Sequence, residues 1–75
     1  MVELAPGITA DPAVRFGKAV IRGTRVPVDT VVARVASGMA LEKVAEEYGI
    51  TVDDVYHALH YAALRLAEEQ IWATR

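Results

Sequence analysis

The fold is decided by residues 41–55, which read LEKVAEEYGITVDDV. Apolar side chains recur at i, i+3, i+4 and i+7 in the first half of this stretch, a spacing typical of one helix face. Gly49 predicts the end of that helix, and Thr51 with Asp54 forms a variant of the capping box that begins the next one. A helix, a glycine-containing turn and a second helix at this spacing predict a helix-turn-helix arrangement.

Helical sequence continues on both sides of this stretch. After Pro27 the apolar spacing changes to a helical period, and Gly38 closes this first helix. The third helix is predicted to run from Thr51 to about Gln70. Its core-facing side is predicted to carry Val52, Val55, Tyr56, Leu59, Ala62, Ala63 and Leu66.

The opposite side of the third helix carries large apolar residues beside charged ones. Tyr61, Leu64 and Trp72 fall there, so an amphipathic patch with aromatic anchors is expected on a single molecule, as in protein interfaces. Alternatively, Trp72 folds back towards Phe16 and is covered by the chain itself. In either case the C-terminal helix is predicted to be a docking element.

The segment before Pro27 is rich in turns and has only short extended stretches. Strands are predicted over residues 8–9 and 14–16, and residues 17–28 read as strand, turn, strand and the start of a helix. We therefore predict a mainly α protein with a β arm or hairpin over residues 1–27, lying outside the core. A three-helix bundle over residues 28–75 would form a single folding unit with it.

Composition favours a binding protein. Hydrophobic residues make up 53% of only 75 residues, more than so small an interior can bury, so self-association, most simply a homodimer, is expected. There are no cysteines, the start lacks a basic leader region, and no apolar run approaches membrane-spanning length. A cytoplasmic location without membrane contact is the expectation.

Charge is unevenly distributed along the chain. Residues 1–34 hold five cations and three acids, a net +2, and the remainder holds three cations and seven acids, a net −4. An anionic partner is therefore expected at the N-terminal half. The candidate DNA contacts are Lys18, Arg22, Arg25, Thr51 and His57.

Two features of these candidates leave alternatives open. Arg22 and Arg25 flank Gly23, so they either present two guanidiniums to a phosphate or carboxylate at the tip of a turn, or are solvated loop charges. Asp53 and Asp54 lie in the first turn of the third helix, where their carboxylates would repel DNA phosphates. Their more favoured role is to stabilise the helix by interacting with the positive end of its dipole.

Neither catalysis nor metal binding is predicted. Ser37 is the only serine, and the sequence indicates no general base that would activate it as a nucleophile. His57 and His60 are three residues apart without a third ligand at a suitable spacing. We therefore expect a non-enzymatic protein without a metal or other cofactor.

Three segments of the chain resemble one known family. They are residues 17–28 (GKAVIRGTRVPV), 38–45 (GMALEKVA) and 58–63 (ALHYAA), and the resemblance covers nearly the whole chain. The family is the bacterial and archaeal domain of unknown function 433. Ala19 replaces the usual proline and Ala40 the usual Ser or Thr N-cap, changes that loosen one turn and one cap by about 1 kcal/mol or less.

The resemblance implies a homeodomain-like helix-turn-helix domain that acts as the VapB-like antitoxin of a type II toxin–antitoxin pair. Its partner would be a PIN-like nuclease, bound through the C-terminal helix, and it would also repress its own operon by binding operator DNA. The candidate partner interface is Tyr61, Leu64, Arg65, Trp72 and Arg75. Arg65 or Arg75 would enter the acidic metal site of the nuclease, although Arg75 also reads as a frayed terminus. The alternative is a homodimeric DNA-binding regulator without a toxin.

Overall fold

The helices begin and end at the predicted capping residues. The computed structural model describes residues 1–69, with α1 spanning Val28–Ala36, α2 Leu41–Tyr48 and α3 Val52–Glu68. Gly38 and Gly49 follow α1 and α2 with φ of +97° and +67°, the left-handed conformation that a glycine adopts without strain. The predicted helix boundaries are thus confirmed to within two residues, since α3 ends at Glu68 rather than at about Gln70.

The predicted capping box at the start of α3 is confirmed. The backbone N–H of Asp54 donates to Oγ1 of Thr51 over 3.0 Å, and the backbone N–H of Thr51 donates to Oδ2 of Asp54 over 3.0 Å. Both side chains are therefore engaged in holding the first turn of the helix.

A three-stranded antiparallel sheet precedes the helices, in the order β1, β2, β3. Its strands are β1 Val2–Ala5, β2 Ile8–Ala10 and β3 Val20–Ile21. The strand at residues 8–9 is confirmed, whereas β1 was not predicted. In residues 17–28 the outgoing strand is β3, and the predicted return strand is reduced to one bridge between Val20 and Pro27.

The sheet is part of the hydrophobic core. Ile8 of β2 and Ile21 of β3 are fully buried, in one cluster with Val31 of α1, Val44 of α2 and Val55 of α3. The prediction that the N-terminal segment lies outside the core is therefore wrong. The three helices alone are too short and too rich in alanine and valine to bury all their inward side chains, and the sheet closes the remaining face.

The strand predicted at residues 14–16 is also wrong. Arg15–Gly17 forms a single 3-10 turn, and Arg15 and Phe16 both have left-handed backbone conformations, with φ of 52° and 58°. The cause lies just before it, where Asp11 accepts backbone hydrogen bonds from Ala13 through its side chain and from Val14 through its carbonyl. This tight turn folds the chain back and prevents extension into a strand.

The buried face of α3 is rotated from the predicted one. Val55 and Ala58 are fully buried, whereas Tyr56 and Leu66, both predicted to face the core, are 55% and 64% exposed. Val52 and Leu59, which were also predicted to face the core, are partly buried against it, whereas Tyr56 lies about 100° away from Val55 around the helix axis. From Ala63 to Glu69 every residue is exposed, so the last turns of α3 extend beyond the core.

Candidate functional site

An open apolar groove lies between α1 and α3. Its volume is about 510 Å³. It is lined by residues of α1, α3 and the segment before α1: Lys18, Ala19, Val28, Asp29, Val32, Ala33, Tyr61, Ala62, Arg65 and Leu66.

Small side chains create the groove. α1 and α3 pack against each other, and Ala33 on α1 and Ala62 on α3 both line the depression, with Ala19 beside them. Because an alanine fills little of the space between two helices, a partner side chain has room to enter there. Tyr61 and Leu66 supply the large apolar surface of the groove.

Ion pairs flank the groove. Nζ of Lys18 lies 2.7 Å from Oδ2 of Asp29, and Nη1 of Arg65 lies 2.9 Å from Oε1 of Glu68, with all four side chains more than half exposed. The hydrogen bond from Lys18 lowers the pKa of Asp29. The pair therefore contributes its small share of stability above the unfolded-state pKa of Asp29, and loses it as pH falls through the depressed folded-state value.

The structure brings part of the predicted partner interface to this groove. Tyr61, predicted to be exposed on the far side of α3, is instead half-buried against the core and lines the groove, and Arg65 lies beside it. Leu64 is exposed on the same helix but is not among the lining residues. Trp72 and Arg75 lie outside the described residues.

Two predicted DNA contacts at the start of α3 are occupied within the fold. Thr51 belongs to the capping box. His57 packs against the β1–β2 turn, where a Cβ added to Gly7 would lie 2.8 Å from Cγ of the imidazole. Its Nδ1 is buried and makes no hydrogen bond within residues 1–69. Thr51 nevertheless remains exposed, whereas His57 is partly buried.

The three predicted cationic contacts have different neighbours. Arg22 pairs with Glu3 of β1. Arg25 and Lys18 instead line one open cleft together with Arg15 and Phe16. Of the two guanidiniums expected at the tip of one turn, that of Arg22 is therefore paired within the fold and that of Arg25 lines the cleft.

This basic cleft was not predicted from the sequence. It has a volume of about 400 Å³ and is lined by Pro12, Ala13, Arg15, Phe16, Lys18 and Arg25. The proximity of Arg15, Phe16 and Lys18 along the chain indicates a shared basic site. The strand predicted over residues 14–16 argues against such a site, because a strand directs successive side chains to opposite faces.

Within residues 1–69, none of the helices combines the length and the apolar character needed to cross a bilayer.

Comparisons with known proteins agree with the motifs in the sequence. The profile of the family described as "Protein of unknown function (DUF433)" matches residues 8–62. A crystal structure of a DUF433 member protein from Anabaena variabilis ATCC 29413 is 35% identical, with a TM-score of 0.73, and the match covers 83% of this chain and 62% of that chain.

A crystal structure of Rv2018 from Mycobacterium tuberculosis is 33% identical, with a TM-score of 0.65, over 69% of this chain and 24% of that chain. The chain thus spans less than two thirds of the length of each of these two proteins. A comparison with curated proteins found no match.

Proposed function

The chain belongs to the DUF433 family, and on that premise we propose that it is a non-catalytic antitoxin that docks a PIN-like nuclease through α3 and the groove beside it. The homeodomain-like helix-turn-helix assignment of α2 and α3 is part of this proposal. The family description names no activity, so the support comes from the surface of the molecule and from the motifs of residues 17–28, 38–45 and 58–63.

The main support for this proposal is that α3 extends beyond the core. Its residues 63–69 are all exposed, yet they include Leu64 and Leu66, and Leu66 continues the apolar lining of the groove. A helix that projects from a small domain with an apolar groove at its base offers the surface of a helix-in-groove or helix-on-helix interface.

Charge at the groove suits the proposed partner. The side chain of Arg65 is 62% exposed and, among residues 1–69, forms an ion pair with Glu68 alone, one turn further along α3. An exposed pair of this kind contributes little to stability, so exchanging Glu68 for carboxylates of a nuclease metal site costs little. A guanidinium binds such carboxylates in a bidentate manner and would occupy the place of magnesium.

The second candidate is a homodimeric regulator that reads operator DNA. It is supported by the short connection between α2 and α3 through Gly49, since a glycine-containing turn between two helices is a feature of helix-turn-helix motifs. The acidic first turn of α3, with Asp53 and Asp54, opposes close approach to phosphates. We therefore rank protein docking above duplex recognition.

A charge introduced into the groove tests the docking proposal. Leu66→Glu is expected to weaken binding to a PIN-like nuclease by at least tenfold, a loss of about 1.4 kcal/mol or more, because it places a carboxylate in an apolar contact. Tyr56→Glu is the matched control, because Tyr56 is equally exposed on the same helix but does not line the groove. Titration calorimetry gives both dissociation constants.

Light scattering on the same samples separates a second copy of the chain from the nuclease as the occupant of the groove. If Leu66→Glu and Tyr56→Glu bind the nuclease as tightly as the unaltered protein, or if the unaltered protein does not bind it, the docking proposal fails.

A further inference from the structure

We propose that the basic cleft of Arg15, Phe16, Lys18 and Arg25 binds an unstacked nucleobase together with its flanking phosphates. This inference goes beyond the antitoxin role and does not depend on it. The ligand is a single-stranded stretch of nucleic acid or a free nucleotide, and both present the same chemistry to the cleft.

The first observation is the exposure of an aromatic ring. Phe16 is 102% exposed, so its ring packs against nothing within residues 1–69. Leaving so large an apolar side chain in water is unfavourable. Both faces of the ring are open, so it offers a stacking platform for another planar ring.

The second observation is the backbone that holds the ring. Arg15, Phe16 and Gly17 are consecutive left-handed residues, with φ of 52°, 58° and 84°. Two of the three carry a Cβ, for which this conformation is unfavourable. Backbone hydrogen bonds from Gly17 to Val14 and from Lys18 to Arg15, both 3.1 Å, hold the turn in this shape. Strain of this kind in a defined turn is characteristic of functional sites.

The third observation is the charge around the ring. Within residues 1–69 neither Arg15 nor Arg25 belongs to an ion pair, and Lys18 is paired only with the exposed Asp29. The three cations line one cleft of about 400 Å³. That volume lies within the range of small-ligand pockets, about 300–1,000 Å³.

The combination of ring and cations selects the ligand class. A carboxylate or an acidic peptide would satisfy the guanidiniums but would leave the ring without a function. In a duplex the base faces are stacked on one another and are inaccessible to Phe16. An unpaired base offers one face to the ring while its phosphates reach the cations, which is how single strands are bound by proteins.

Fluorescence anisotropy with a labelled strand of ten thymidines at low salt tests the proposal. Phe16→Ala is expected to lower the affinity about tenfold without changing the salt dependence, since stacking is not electrostatic. Arg15→Ala combined with Arg25→Ala is expected to reduce the slope of log K against log salt by about 1.4, two phosphate contacts at about 0.7 each.

Matched controls lie elsewhere on the surface. Tyr56→Ala removes an exposed aromatic ring, and Lys43→Ala removes an exposed cation, without touching the cleft. Both are expected to bind the strand as the unaltered protein does. Because Phe16 is fully exposed, Phe16→Ala is expected to unfold at or above the temperature of the unaltered protein, which rules out misfolding as the cause of lost binding.

Competition with a second ligand distinguishes a free nucleotide from single-stranded nucleic acid as the source of the bound nucleobase. Thymidine monophosphate that competes with the strand for the cleft assigns a free nucleotide, and a strand that binds while the monophosphate does not assigns single-stranded nucleic acid. Absence of binding of both the strand and thymidine monophosphate at low salt, equal affinity of Phe16→Ala and Tyr56→Ala, or tighter binding to a duplex or to anionic phospholipid vesicles would each overturn the proposal.

Discussion

Replacing Ile21 with alanine is expected to remove about 2–5 kcal/mol from the free energy of unfolding, the cost of deleting buried methyl and methylene groups and leaving a cavity. Ile21 is 1% exposed and belongs to the same core cluster as the buried valines of all three helices. For a domain of this size such a loss is a large part of the total stability. Urea unfolding followed by circular dichroism measures it from the shift of the midpoint at constant slope.

Leu4→Ala is the matched control for Ile21→Ala. Leu4 has the same number of carbon atoms and lies in the same sheet, in β1, but is 42% exposed, so its loss is expected to cost about 1 kcal/mol or less. A loss of about 1 kcal/mol or less for Ile21→Ala as well would show that the sheet is an arm outside the core, as the sequence alone suggested.

Gly7→Ala is expected to be comparably severe. The added Cβ would overlap the imidazole of His57, and Gly7 has a φ of +77°. Overpacking costs about 1–3 kcal/mol and the left-handed backbone about 1–2 kcal/mol, a combined loss of about 2–5 kcal/mol. The same urea titration measures this loss.

Two variants separate the causes of the Gly7→Ala effect. Gly23→Ala has a similar φ of +76° with nothing within 4 Å of its Cβ, so it reports the backbone cost alone. Adding His57→Ala to Gly7→Ala removes the overlap. The double variant is expected to lose about 1–3 kcal/mol less of its free energy of unfolding than the losses of the two single variants added together. Strict additivity would contradict the packing of His57 beneath the β1–β2 turn and would leave it available as a DNA contact.

Local chemistry was sufficient to predict the helices. Gly38, Gly49 and the pair Thr51 and Asp54 act through their own backbone and nearest neighbours, so their roles can be read without knowing the rest of the fold. The strand at Ile8 was predictable for the same reason.

Features that depend on contacts between distant residues were not predictable. β1 is short and mostly exposed, and only its pairing with β2 makes it a strand. The rotation of α3 follows from where the sheet and α1 place the core, which periodicity alone does not define. Tyr61 was assigned to the wrong side for this reason, although it was correctly singled out.

Neither of the two candidate sites was predicted from the sequence as a site. The groove is lined by Ala33 of α1 and Ala62 of α3, so it depends on the packing of two helices against each other. The basic cleft arises from a left-handed turn at Arg15 and Phe16, residues that rarely adopt this conformation, so the sequence favoured a strand instead. Hydrogen bonds within residues 11–18 thus hold a backbone conformation that the propensities of the individual residues do not favour.

The central claim is that the groove between α1 and α3 receives the partner protein, and mapping of backbone amide shifts by NMR tests it most directly. On titration with the nuclease, the account predicts the largest changes at Val32 and Ala33 of α1 and at residues 61–66 of α3, with Asp53 and Asp54 little affected. Changes centred on Thr51, Asp53 and Asp54, with the groove unaffected, would contradict it.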